Sequence, residues 1–205
     1  MNAVVILIIL LTAGAPPTSH LRVALAFDAG ASPALEAALA EEAARVWAPY
    51  GIVLDRSQGA SPCQSGTITL QVSVAQRAAP GTNEHSLGSI EFHDGEPDPR
   101  ISLYLATAAD LISTTRSDWS HWPVAYRDAL LSRVLGRALA HEIGHYILKA
   151  RDHSKSGLMR AVHPITDLME SGDTDLALST DDIAVLCKAV FALVGEPPAI
   201  SGRSL

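Results

Sequence analysis

Apolar and polar positions follow several rhythms along this chain, and each predicts a different element. From Thr67 to Val74 the run Thr-Ile-Thr-Leu-Gln-Val-Ser-Val alternates strictly, with Ile68, Leu70, Val72 and Val74 facing one way, the pattern of a half-buried strand. Leu21 to Phe27, Ile52 to Asp55, Leu87 to Phe92 and Ile101 to Leu105 read as four more strands. Helical spacing begins after Ser32, a cap followed by Pro33 in the first turn, and puts Leu35, Leu39 and Val46 on a buried side. A short helix is expected from about Thr107 to Ile112. A long one is expected from Pro123 to about Leu148, with Val134, Ala138, His141, His145 and Leu148 on one stripe, Arg133 well off it and Arg137 at its edge. After Met159 the chain reads as irregular and carries Pro164 and Gly172. Ser179 or Thr180 then caps a last helix with Asp181 and Asp182 in its first turn and Ile183, Leu186, Cys187 and Val190 as its stripe. Strands interleaved with helices make this an α/β (α+β) chain.

The flanking segments have a different character. The apolar run Ala3 to Leu11 is too short to cross a bilayer but has the length of a signal-peptide core, and Ala13 and Ala15 suit a cleavage site. Residues 1–19 are therefore expected to be a signal peptide, with an uncleaved anchor or a buried N-terminal strand as the alternatives, and the protein is expected to act outside the cytoplasm. The tail 196–205, with its prolines and Ser-Gly-Arg-Ser, is expected to fray. Between them residues 20–195 are read as one domain, since 48% hydrophobic residues suffice for a full core. A net charge of −7 with no basic stripe argues against non-specific nucleic-acid binding. Cys63 and Cys187 are an even pair, which in an exported protein suggests one disulfide; two unpaired thiols are the other reading.

The chemistry concentrates in His141-Glu-Ile-Gly-His145. Residues four apart on a helix differ by only about 40° in azimuth, so the two imidazoles point the same way and can share one metal ion. Glu142 lies one position round, where its carboxylate can reach a water on that metal as a general base. The bland alternative is a core helix whose histidines hydrogen-bond to neighbours, but then two buried imidazoles and a carboxylate would each need a partner. A catalytic zinc wants a third protein ligand, and His153 is the nearest candidate.

The run His141-Glu-Ile-Gly-His145-Tyr-Ile-Leu-Lys-Ala-Arg-Asp-His153-Ser, followed by Lys-Ser-Gly157-Leu158-Met159, resembles the metzincin clan of zinc peptidases, its matrix-metallopeptidase-like branch in particular. The resemblance implies His141, His145 and His153 as zinc ligands, Glu142 as general base and Met159 as the methionine of a turn beneath the metal. It implies a twisted, mostly parallel five-stranded sheet with a backing helix and an active-site helix in an upper subdomain of about 20–148. A small lower subdomain of about 149–195 would hold the methionine turn and the final helix. Leu87 to Phe92 would be an edge strand to which an extended peptide adds. The activity implied is that of a monomeric, zinc-dependent endopeptidase. Seven residues, Tyr146 to Asp152, separate the second and third histidines where the clan usually has five, and none is glycine; Ala161 stands where some branches have a tyrosine. His163 and Glu170 are the other candidate ligands, the latter giving a gluzincin-like site, and a non-catalytic zinc-binding module is the remaining class. His85, His93, Asp94 and Glu96 are read as solvated loop residues, with a calcium site or a cleft rim as the alternative.

Overall fold

In a computed structural model of the chain, the described residues are 21–56, 67–79, 85–170, 172 and 176–194. The expected signal peptide, the tail and Cys63 lie outside them, and with Cys63 the expected disulfide; Cys187 is half-buried on the last helix. Among the described residues no helix is long and apolar enough to cross a membrane.

The element order is β1 (Leu21–Phe27), α1 (Pro33–Trp47), β2 (Ile52–Arg56), β3 (Thr67–Ala75), β4 (Gly88–His93), β5 (Glu96–Tyr104), α2 (Leu105–Thr115), α3 (Val124–Leu148), α4 (Ile165–Met169) and α5 (Thr180–Val194). The strands form one sheet in the order β2-β1-β3-β5-β4. Its first three pairings are parallel, and only β4, at the edge, runs antiparallel to its neighbour β5. This is the mixed α/β, mostly parallel five-stranded architecture that the chain's resemblance implies.

Local signals explain most of the element ends. Ser32 caps α1 by accepting from the Leu35 N–H at 3.2 Å, with Pro33 at the first helical position. At α5, Ser179 Oγ accepts from the Asp182 N–H at 3.1 Å while the Asp182 carboxylate takes the Ser179 hydroxyl at 2.7 Å, a reciprocal cap. The helix α1 packs on α3 and on β2, and α3 on β4 and β5. One cluster of buried side chains runs from Leu21 to Val190 and includes Leu25, Leu39, Trp47, Leu70, Leu103, Leu135 and Ile143.

Four expectations need correction. β5 starts at Glu96 rather than Ile101, because Asp94 and Gly95, at φ 53° and 86°, make a two-residue hairpin turn that joins β4 directly to β5. His93 and Glu96 are therefore strand residues rather than loop residues. The helix α2 extends beyond Thr107–Ile112 at both ends. The stretch after Met159 is not wholly irregular, since it contains α4. Arg137 is not at the edge of the buried stripe of α3: it is only 1% exposed.

Candidate metal centre

The helix α3 holds the first two histidines rigidly, and its neighbours orient them. His141 Nδ1 lies 2.7 Å from the Leu158 carbonyl, and His145 Nδ1 lies 2.6 Å from the Ala150 carbonyl. A carbonyl only accepts, so both imidazoles carry their proton on Nδ1 and turn a bare Nε2 lone pair outward. Those two Nε2 atoms face one another at 3.1 Å. Two lone pairs at that distance repel unless a cation lies between them, and nitrogens bound to one tetrahedral zinc at about 2.1 Å sit about 3.4 Å apart. Carbonyl partners on the remote nitrogens are also what orients ligating histidines.

His153 joins them from the connector. Its ring centroid is 5.3 Å from that of His141 and 4.9 Å from that of His145. One ligand atom from each of the three histidines lies within 4.8 Å of the others, and among the described residues no other group of three or more His, Cys, Asp or Glu side chains is gathered closely enough to hold a metal. The donor set, three imidazoles with one side open to a cleft, fits a zinc ion with a free coordination position.

The two extra residues of the connector, and its lack of glycine, are accommodated by Lys149. It ends α3 in the left-handed region at φ 50°, ψ 35°, the conformation a glycine would adopt more easily, and its ammonium pairs with Glu96 at 2.7 Å. A glycine shapes the packing at position 144 instead. A Cβ at Gly144 would collide with Met159 Sδ, so the glycine of the histidine motif is the groove into which Met159 packs beneath the site. The turn carrying Met159 is tied down at Ser154, whose N–H donates to the Met159 carbonyl at 2.8 Å and whose hydroxyl donates to Asp182 at 2.6 Å.

Glu142 is 8% exposed and receives a hydrogen bond from the Ile90 N–H of β4. Burial dominates over that bond and raises its pKa to about 8. Burial pulls His141 the other way, to about 3, helped by the proximity of His145, and lowers His145 as well. Both imidazoles are thus neutral at pH 7, the form in which they bind metal. Gly88 lets β4 pass close to Glu142, since a Cβ there would meet Glu142 Cγ at 3.2 Å.

The other candidates fall elsewhere. His163 Nε2 donates to the Leu158 carbonyl at 3.0 Å, the same oxygen that holds His141, and its Nδ1 accepts from Arg160 Nε at 3.2 Å. Its ring stands beside the triad, 6.0 Å from that of His141 between centroids, but its nitrogens meet the Leu158 carbonyl and Arg160. Glu170 is exposed at the end of α4 and does not line the cleft. His85 and His93 line the rim, and His93 lies 3.6 Å from both Glu91 and Asp98.

A cleft of about 830 Å³ opens onto the triad, walled by β4 above and by the Arg160–Leu168 segment below. Two of its residues carried no signal in the sequence reading. Arg137 at its floor is ion-paired to Glu42 at 2.8 Å, and Arg151 belongs to the connector.

No protein-family model and no curated protein matches the chain. Among solved structures, the crystal structure of archaemetzincin from Methanopyrus kandleri matches with a TM-score of 0.52 over 85% of this chain and 98% of that one, at 13% sequence identity. The chain therefore carries an archaemetzincin-like zincin fold, with the His141, His145 and His153 cluster set in its cleft.

Proposed function

We propose that this chain is a zinc-dependent endopeptidase that hydrolyses peptide bonds with Glu142 as general base. The observation that carries the reading is the pair of Nε2 lone pairs facing each other at 3.1 Å, beside a buried carboxyl group and at the bottom of an open cleft. A structural site would close its fourth position and has no use for Glu142. His141, His145 and His153 would hold the ion, which would supply Lewis acidity toward water and toward the scissile carbonyl at neutral pH. A dication held beside Glu142 would bring its raised pKa back down and leave it a carboxylate. That carboxylate would then take a proton from the attacking water on one oxygen and deliver it to the leaving amine, while the Ile90 N–H keeps it aimed into the cleft. β4 offers its free edge to an extended peptide, and N–H groups of that edge would help to stabilise the developing oxyanion. The same reading takes residues 1–19 as an export signal, so that the enzyme works as a monomer outside the cytoplasm.

The test is hydrolysis of a peptide mixture by zinc-loaded protein and by its Glu142→Ala variant. The variant is expected to keep the metal and the fold while losing at least about two orders of magnitude in rate. Turnover like that of the unaltered protein would remove Glu142 from this role.

A further inference from the structure

The cleft has two chemically different ends. Along β4, the Ile90 N–H meets Glu142, Phe92 stands edge-on to His145 at 6.3 Å between centroids, and Glu96 beyond the hairpin turn reaches Lys149. Moving along α3 from Ala138 to Lys149 is thus moving along β4 from Gly88 to the hairpin. Beside Ala138 lies α4, because Arg137 Nη1 donates to the Asp167 carbonyl at 2.7 Å, and there the lining is apolar, with Ile165, Leu168 and Leu176. Past His145, the lining side chain is Arg151.

Three arginines line this cleft, and two of them are neutralised: Arg137 by Glu42 and Arg160 by Asp167. Arg151 is exposed and has neither an ion pair nor a hydrogen bond among the described residues. Its backbone is nonetheless anchored on both sides. The Ala150 carbonyl just before it accepts from His145, and His153 just beyond it belongs to the triad. In a chain with 22 acidic residues against 15 basic ones, a cation left unneutralised beside the metal histidines is the reverse of the overall charge balance.

We propose that Arg151 is a specificity-determining residue that takes a carboxylate of the peptide on the hairpin side of the scissile bond. This rests on the peptidase reading above and adds a substrate class to it, peptides acidic on that side. A guanidinium presents a planar fork of donors matched to a carboxylate, and the anchoring of its backbone beside the histidines keeps it near them. Two sources have this chemistry, an acidic side chain and a peptide's own C-terminus.

The experiment uses the zinc-loaded full chain and pairs of fluorogenic peptides that differ only by Glu or Gln at successive positions around the cleaved bond, each with a free and an amidated C-terminus. At one position the Glu peptide is expected to be preferred roughly three- to tenfold in kcat/KM, less as salt is raised. The ratio should fall to near one in Arg151→Gln, and Arg151→Glu should favour Lys at that position. A preference that follows amidation instead assigns the carboxylate to the terminus. A ratio near one at every position and with both termini, or one that survives Arg151→Gln, overturns the proposal. Should no peptide be cleaved, the peptidase reading fails on its own account. The same peptide pairs titrated by fluorescence anisotropy against zinc-loaded Glu142→Ala protein still decide the point: charge-dependent binding lost in Arg151→Gln sustains the carboxylate site, and charge-independent binding overturns it.

Discussion

Two buried polar clusters sit a single turn apart on α3, and they are built on opposite principles. At Arg137 every guanidinium nitrogen is engaged: Nε meets Glu42 at 2.8 Å, Nη1 the Asp167 carbonyl at 2.7 Å and Nη2 the Gly172 carbonyl at 3.1 Å. That charge is satisfied by a carboxylate on α1 and by carbonyls of the lower segment, so it clamps three parts of the chain together. At His141 and His145 only the Nδ1 side is satisfied, and the Nε2 atoms confront each other. Beside them the buried Glu142 carboxyl is met by the Ile90 N–H. Burial of polar groups is costly unless they are paired, so the paired cluster belongs to the architecture, whereas the half-paired one has the donor arrangement of a ligand site. The lesson is that burial alone does not separate a structural polar group from a functional one; the completeness of its partners does.

The largest effects should come from the half-paired cluster and should appear in metal binding. Singly changing His141, His145 or His153 to Ala is expected to weaken zinc affinity by about three orders of magnitude, since two remaining ligands make a poor site. Glu170→Ala and His163→Ala should stay within roughly a few-fold to tenfold, Glu170 because it is remote and His163 because it supports His141 from the side and through the Leu158 carbonyl rather than joining the three clustered histidines. Chelator titration at fixed pH gives the ranking. Collapse of affinity in Glu170→Ala with His153→Ala unaffected would replace the third ligand.

The fully paired cluster should respond in stability instead. Glu42→Ala leaves the Arg137 guanidinium buried without its carboxylate and is expected to cost about 3–5 kcal/mol, measured by denaturant unfolding, with or without zinc. Arg137→Met fills similar volume without a charge and should cost less, provided Glu42 keeps Arg45 as a partner. A loss confined to the zinc-loaded protein would erase the distinction between the clusters.

A smaller effect concerns pH in the metal-free protein. His141 is held at about 3 against an ordinary 6.5, so its contribution to stability is complete above pH 6.5 and is lost as pH falls toward 3. Glu142 is raised to about 8 from 4.5, so its contribution is complete below pH 4.5 and is lost as pH rises toward 8. Glu142→Gln removes only the second dependence. Relative to the unaltered protein, this variant should therefore gain on the order of 1–3 kcal/mol in unfolding free energy between pH 4.5 and 8. A difference between the two proteins that does not change with pH would show that Glu142 is not buried as a neutral acid.

Much of the fold was legible because its signals are local. The strict alternation of Thr67–Val74, the Ser32-Pro33 cap and the long stripe from Val134 to Leu148 each mark an element within a dozen or so residues. The pairing of His141 with His145 was legible for the same reason, four residues apart on a helix already evident. The Asp94-Gly95 turn is an equally local hairpin signal, whereas the strand beyond it carries Pro97 and Pro99, which strand patterns disfavour.

The sequence by itself determined the order of elements, the helix that carries the histidine motif and the residue types able to hold a metal. Only the tertiary structure decided which residues complete the site. His153 reaches the triad because Lys149 turns left-handed without a glycine, and Met159 seats itself against Gly144 across a separation no pattern spans. The burial of Arg137 depended on Glu42, distant along the chain, and the raised pKa of Glu142 on β4 passing over it at Gly88. The physical reason is common to all of these. Periodicity reports the face a residue presents, whereas desolvation and pairing depend on what is brought against that face from elsewhere in the chain.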